Sequence, residues 1–178
     1  SVPIGKSDKE NKVVEKIGTP RKFGFDVKSH VELVEKLGIV DFDAARKVAG
    51  GGFFYLKGSL AELNQALLKY GVDFMVRKGY TLVEPPLMIN KEATSGVVDF
   101  EFFKDMVYKI EGEDLYLIAT SEHPLIGMFK GLVLDEKDLP IKLCGISQCF
   151  RKELGAHGID EKGLYRTHQF NKVEQIII

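Results

Sequence analysis

The segment Ser59–Gly79, SLAELNQALLKYGVDFMVRKG, is the strongest helix signal in the sequence, and it is apolar on two sides. Leu60, Leu63, Leu67 and Phe74 recur at helical spacing along one stripe, while Ala61, Leu68, Val72, Met75 and Val76 form a second. Ser59 and Glu62 have the spacing of a capping box, and Gly79 supplies a stop. Such a helix needs two partners: layers of its own domain, or its own sheet and another subunit. That requirement limits every arrangement of the remaining segments.

Upstream, SHVELVEKLG and DFDAARKVAG predict two short helices, capped by Ser29 (with Glu32) and Asp41 and stopped by Gly38 and Gly50. FFYLKG follows as a strand. Gly50–Gly52 lacks the G-x-G-x-x-G spacing of a dinucleotide site and reads as a place where backbone segments cross closely. Downstream, YTLVEPPLMI is a β-rich run in which Pro85 and Pro86 impose a sheet edge or a bend, because proline cannot donate to the ladder. DFEFFKDMVYKIEGEDLYLIAT predicts a helix, a hairpin around Gly112 and a strand ending at Thr120. A helix over Ser121–Leu132 and a hairpin of Ile141–Glu153 with Leu164–Ile178 complete the order. No βαβα rhythm is present. The fold class expected is α+β, a mostly antiparallel sheet flanked by helices.

Residues 1–20 are charged and aperiodic, an extended lead-in with a short strand at Val13–Ile17; residues 21–178 form one domain. A chain of 178 residues, 44% hydrophobic, is long enough for a substantial core. A net charge of −1 gives no overall positive field to attract nucleic acid, so such a partner would need a local patch or a further segment. Cys144 and Cys149, five apart on an extended segment, face opposite ways; neither a bridge nor a zinc site is expected, and a reducing compartment is. No run of about eighteen apolar residues and no leader pattern occurs, which reads as soluble and cytoplasmic. The absent initial Met suggests a processed or excised piece. Gly5-Lys6-Ser7 mimics the end of a phosphate-binding loop without the strand and first glycine that would make it one.

The final hairpin carries the chemistry. Side chains alternate along a strand, so Arg151 and Glu153 share one face, and Phe170 and Glu174 share one face of the returning strand. Phe170 and Glu174 stand roughly 13 Å apart at ~3.3 Å per residue, about the span from an adenine ring to the amino group of an aminoacyl-adenylate. A ring for stacking, a carboxylate for an ammonium and a guanidinium for a phosphate then occur in order. An ordinary surface hairpin with alternating charges has the same spacing.

Phe150-Arg151-Lys152-Glu153, a glycine-containing loop, and His168-Gln169-Phe170-Asn171-Lys172-Val173-Glu174 together resemble motif 2 of the class II aminoacyl-tRNA synthetases, in the form found in the seryl-tRNA synthetase family. GYTLVEPPLM resembles motif 1, with Pro86 at the signature proline, and IATSEHPL resembles the family's serine loop. SVPIG, GTPRKF and YLKGSLAEL resemble family segments in the family's order. Motif 1 lies at about 70–88 and motif 2 at about 143–178, so the resemblance covers essentially the whole chain. The class I signatures are absent.

The resemblance implies a class II catalytic core that activates L-serine with ATP and transfers it to tRNA(Ser), with tRNA(Sec) as a further acceptor. Arg151 is implied as the catalytic contact to the α-phosphate. Lys152, Glu153, Thr167 and Phe170 would complete the ATP site, while Thr120, Ser121, Glu122 and Glu174 would hold serine. Mg2+ would clamp the phosphates, and the long helix with the Pro86 strand would build a homodimer. Motif 3 and the helical arm that grips tRNA are not in the sequence, so the piece alone is expected to charge tRNA poorly. Gly52 stands where relatives often carry Arg before the Phe, which leaves any role of that Arg open. Two other readings stay in play: a paralogue that loads an amino acid onto a carrier protein, and a non-catalytic dimerising or regulatory module.

Overall fold

The computed structural model describes residue 5, residues 7–153 and residues 163–178. The expected loop across 154–162, Lys6 of the Gly-Lys-Ser triplet and residues 1–4 lie outside the described residues.

Among the described residues the lead-in has a single 3-10 turn, Asp8–Glu10, and no strand at Val13–Ile17. Val13, Val14 and Ile17 are exposed there, and among the described residues no strand pairs with them. α1 (His30–Leu37) and α2 (Phe42–Ala49) form where their caps predict. Ser29 and Glu32 exchange both capping-box hydrogen bonds, and the Asp41 carboxylate accepts from the Ala44 amide. β1 (Val40–Asp41) pairs antiparallel with β2 (Tyr55–Leu56) beside them.

α3 (Ser59–Arg77) is the long helix, and its start differs from expectation. The N-cap is Gly58, and the Ser59–Glu62 box does not form. The Lys57 amide N–H donates to the Ile39 carbonyl, just before β1, at 2.8 Å, so the turn into the helix falls on the next residue. Gly58 makes it at φ 53°, where side chains are rarely tolerated. The other end matches a Schellman motif: Gly79 N–H to Val76 O at 2.9 Å and Tyr80 N–H to Met75 O at 3.2 Å.

β3 (Thr81–Val83), β6 (Lys142–Phe150) and β7 (Gln169–Ile177) make the main sheet in the order β3-β6-β7. β6 and β7 are antiparallel, whereas β3 runs parallel to β6. Among the described residues three of four strand pairings are antiparallel, as the fold class requires. A parallel pair needs a crossover. That crossover carries β4 (Met88–Ile89), α4 (Lys91–Ser95), α5 (Phe100–Phe103), β5 (Tyr116–Leu117) and α6 (Glu122–Gly127). Pro85 and Pro86 bend the chain between β3 and β4. α6 is shorter than the expected Ser121–Leu132 helix. Beyond Gly127 its pattern continues as tighter i to i+3 turns ending at Gly131, φ 73°.

α3 packs on the sheet, with Gly71 letting Val173 of β7 approach its backbone. Ala61, Leu68, Val72 and Met75 of its second stripe are half-buried, but Val76 and, on the first stripe, Leu63 and Leu67 remain exposed. The helix therefore finds one of its two partners within the described chain. Within the crossover, Phe100, Val107, Tyr116 and Ala119 form a buried cluster. Leu125, Ile118, Cys144 and Cys149 are sealed around β6. The cysteines are free and on opposite faces, as their spacing predicts. Among the described residues no helix is long and apolar enough to cross a membrane.

Candidate functional site

Cross-strand partners share a face, so the register Cys149↔Phe170, Ser147↔Lys172 and Gly145↔Glu174 places Phe170, Lys172 and Glu174 in one row. Arg151 lies one residue past the end of β6 but continues that alternation. Its amide still donates to the His168 carbonyl at 2.9 Å. The guanidinium sits 5.2 Å from the Phe170 ring centroid, and its Nε donates to Ala119 O at 3.1 Å. Cation and ring meet at this end of the row.

Past Arg151 the two arms part, so the expected strands to Glu153 and from Leu164 are shorter than drawn from the sequence. Outward-facing amides are taken by other segments: Phe150 by Ile118 O at 2.8 Å, Lys152 by Met106 O at 2.8 Å, and His168 by Gly52 O at 3.0 Å. Lys152 extends over the Tyr108 ring, 5.7 Å from its centroid, and Glu153 is half-buried beside it in sequence. Thr167 is buried, its hydroxyl donating to Gln169 O at 3.1 Å. With Phe170, it also lines an apolar hollow of about 360 Å3 against Leu60, Leu63 and Leu67 of α3.

At the other end of the row, the crossover brings in Thr120. Its hydroxyl donates to Glu174 Oε2 at 2.9 Å and accepts from Lys172 Nζ at 3.1 Å and from the Glu122 amide at 3.2 Å. Lys172 also pairs directly with Glu174 Oε2. One donor and two acceptor positions use the hydroxyl fully. Ser121 is turned the other way, fully buried against Gly145, and its Oγ has no hydrogen-bond partner among the described residues. A Cβ at Gly145 would lie 2.9 Å from that Oγ and 2.6 Å from Leu125 Cδ1. The missing side chain lets α6 settle on β6, which carries Thr120 to Glu174. Glu122 is half-buried at the first position of α6.

Two residues of this arrangement were not singled out from the sequence. Lys172 was legible by alternation, midway between Phe170 and Glu174. His168 was not, because its partners are distant in the chain: its ring stacks on Phe53 at 5.1 Å and Nδ1 meets the Tyr108 hydroxyl. Pro86 is exposed in the bend after β3.

His123, next to the Thr120 turn, is buried with its ring edge against Phe103 at 4.9 Å. Burial holds its pKa below the ordinary value, and the neighbouring Glu122 carboxylate opposes this only in part. As pH falls past about 6.5 the unfolded chain binds a proton that the native imidazole resists, so stability is full above that pH and declines below it toward the folded value. Denaturant melts at pH 7.5 and 5.5 should show a larger loss for the unsubstituted chain than for His123→Gln. Equal losses would exclude His123 as the source.

Residues 103–178 match the family model described as tRNA synthetase class II core domain (G, H, P, S and T). The chain is 50% identical over 177 residues to the serine–tRNA ligase of Methanoregula boonei and 51% identical over 177 residues to that of Methanocorpusculum labreanum. Each match covers 99% of this chain and 42% of the relative, so the chain spans about two fifths of their length. The crystal structure of seryl-tRNA synthetase from Pyrococcus horikoshii complexed with ATP superposes with a TM-score of 0.84 at 48% identity, over 87% of this chain and 35% of that one. Cytoplasmic serine–tRNA ligase from Naegleria fowleri in complex with AMP gives 0.89 at 39% identity, over 97% and 42%.

Proposed function

Since the chain belongs to the seryl-tRNA synthetase family and matches part of its catalytic portion, we propose that it forms the floor on which ATP and L-serine meet to make seryl-adenylate, the donor for tRNA(Ser). The observation that carries this reading is the single row on β7. A ring lies under a guanidinium at one end and a carboxylate under a hydroxyl at the other. ATP and AMP complexes of the two structural relatives support the nucleotide half.

In this reading Phe170 stacks on adenine, with Glu153 and Thr167 at its edge and Lys152 toward the phosphates. Arg151 draws the α-phosphate and offsets charge as the serine carboxylate oxygen attacks phosphorus and pyrophosphate leaves. Glu174 and the Thr120–Glu122 turn hold the serine ammonium, with Ser121 acting through its backbone because its side chain faces the sheet. A ribose hydroxyl at the tRNA end then attacks the acyl carbon and AMP departs. No enzyme nucleophile enters; two reactants held in line supply the acceleration. Mg2+ bound with ATP would offset charge on the phosphates as pyrophosphate leaves. The exposed stripe of α3, with the Pro86 bend nearby in the chain, is the surface this reading gives to a second copy.

The test is calorimetric binding of a seryl-sulfamoyl-adenosine, a non-hydrolysable stand-in for the adenylate. Phe170→Ala and Glu174→Gln should each weaken it at least tenfold, the loss of about 1.4 kcal/mol. Absence of binding, or binding indifferent to both substitutions, would reject the assignment.

A further inference from the structure

Lys172 and Glu174 are two apart on one face of β7, and Thr120 bridges them from above. The Lys172 ammonium touches both oxygens that the proposed reading gives to the substrate ammonium, Glu174 Oε2 and Thr120 Oγ1. Two ammonium groups cannot occupy that point together. Lys172 keeps 31% of its side chain exposed while Glu174 keeps 18%, so the cation has a route to water and the carboxylate is the more enclosed partner. We propose that Lys172 is a resident placeholder in the ammonium seat, and that the amino acid binds by exchanging its own ammonium for that of Lys172.

This inference rests on the reading of Glu174 and Thr120 above, and adds to it how the seat is kept. An enclosed carboxylate left unpaired is costly, whereas one paired in both states changes partner without a charge being stranded. The Thr120 hydroxyl keeps its direction, since it donates to Glu174 and accepts from whichever ammonium is present. Binding is then a cation exchange. A ligand ammonium without further contacts gains little over the one it displaces, which disfavours simple amines and free ammonium.

The probe is L-serinamide, which carries the ammonium but no carboxylate to engage the displaced lysine; glyceramide, with a hydroxyl in place of the amine, is its control. Lys172→Met keeps the apolar stem and removes the competitor. It should tighten L-serinamide about three- to tenfold in calorimetric titration of the 178-residue chain and leave glyceramide unchanged. Lys172→Gln, should the Met variant lose native circular dichroism, has the same expected direction. Unchanged or weaker L-serinamide binding in a folded Lys172 variant, with Glu174→Gln weakening it, overturns the placeholder and leaves the seat intact. L-serinamide binding that ignores Glu174→Gln overturns the seat itself, and the placeholder with it.

Discussion

Arg151→Ala, introduced into a polypeptide spanning the relatives' full length with this segment in place, should lower serine-dependent ATP–pyrophosphate exchange by about 10²–10³-fold, the usual cost of removing one donor aimed at developing charge. The fold should barely notice. Among the described residues the Arg151 side chain gives its neighbours one hydrogen bond, to Ala119 O, and one cation–ring contact, with Phe170. Together these are worth about 1–2 kcal/mol at most. A thermal midpoint within a few degrees of the parent, beside a collapsed exchange rate, is the signature of a residue acting on substrate. Arg151→Lys should not restore the rate, because a point charge replaces neither the planar fork nor its stacking on the ring. Exchange kinetics left unchanged by either substitution would remove Arg151 from the catalytic role.

Gly52→Ala should cost about 2–4 kcal/mol of stability, read from urea melts, by adding left-handed strain to overpacking. Gly52 has φ 76°, and a Cβ there would fall 2.2 Å from His168 Cδ2 and 2.9 Å from Nε2. The ring cannot simply withdraw: it stacks on Phe53, meets the Tyr108 hydroxyl, and its own amide is bonded to Gly52 O. Gly51→Ala is the control, with nothing within 4 Å of the added atom, and should lie within about 0.5 kcal/mol of the parent. Combined with His168→Ala, the Gly52 substitution should cost measurably less than it does alone, since the clashing partner is gone. Strict additivity would show that the ring is not what excludes the methyl.

That same contact explains part of what the sequence disclosed. A glycine triplet announced a close crossing, yet only Gly52 makes one, and nothing in the local pattern identifies His168, which lies far along the chain. Caps at Ser29 and Asp41 were legible because their hydrogen bonds close within four residues. The Ser59 cap failed for a tertiary reason, the tie from Lys57 to Ile39. Alternation put Phe170 and Glu174 on one face of β7, separated Cys144 from Cys149, and would have placed Lys172 had it been applied there. It could not reveal that the hairpin arms part after Arg151, because the segments that pull their amides away, around Gly52, Met106 and Ile118, belong to earlier stretches of chain. The site motifs were readable as motifs; that Ser121 turns its hydroxyl into the sheet while Thr120 faces Glu174 depends on the bare Gly145 opposite.

The parallel pairing of β3 with β6 has a last consequence. Everything between those strands must be laid down before Ala119 and Thr120 can reach Arg151 and Glu174. A partly folded chain can own the hairpin and still lack both carbonyl and hydroxyl. In the proposed reading, readiness to bind is thereby tied to folding of the crossover as well as of the hairpin.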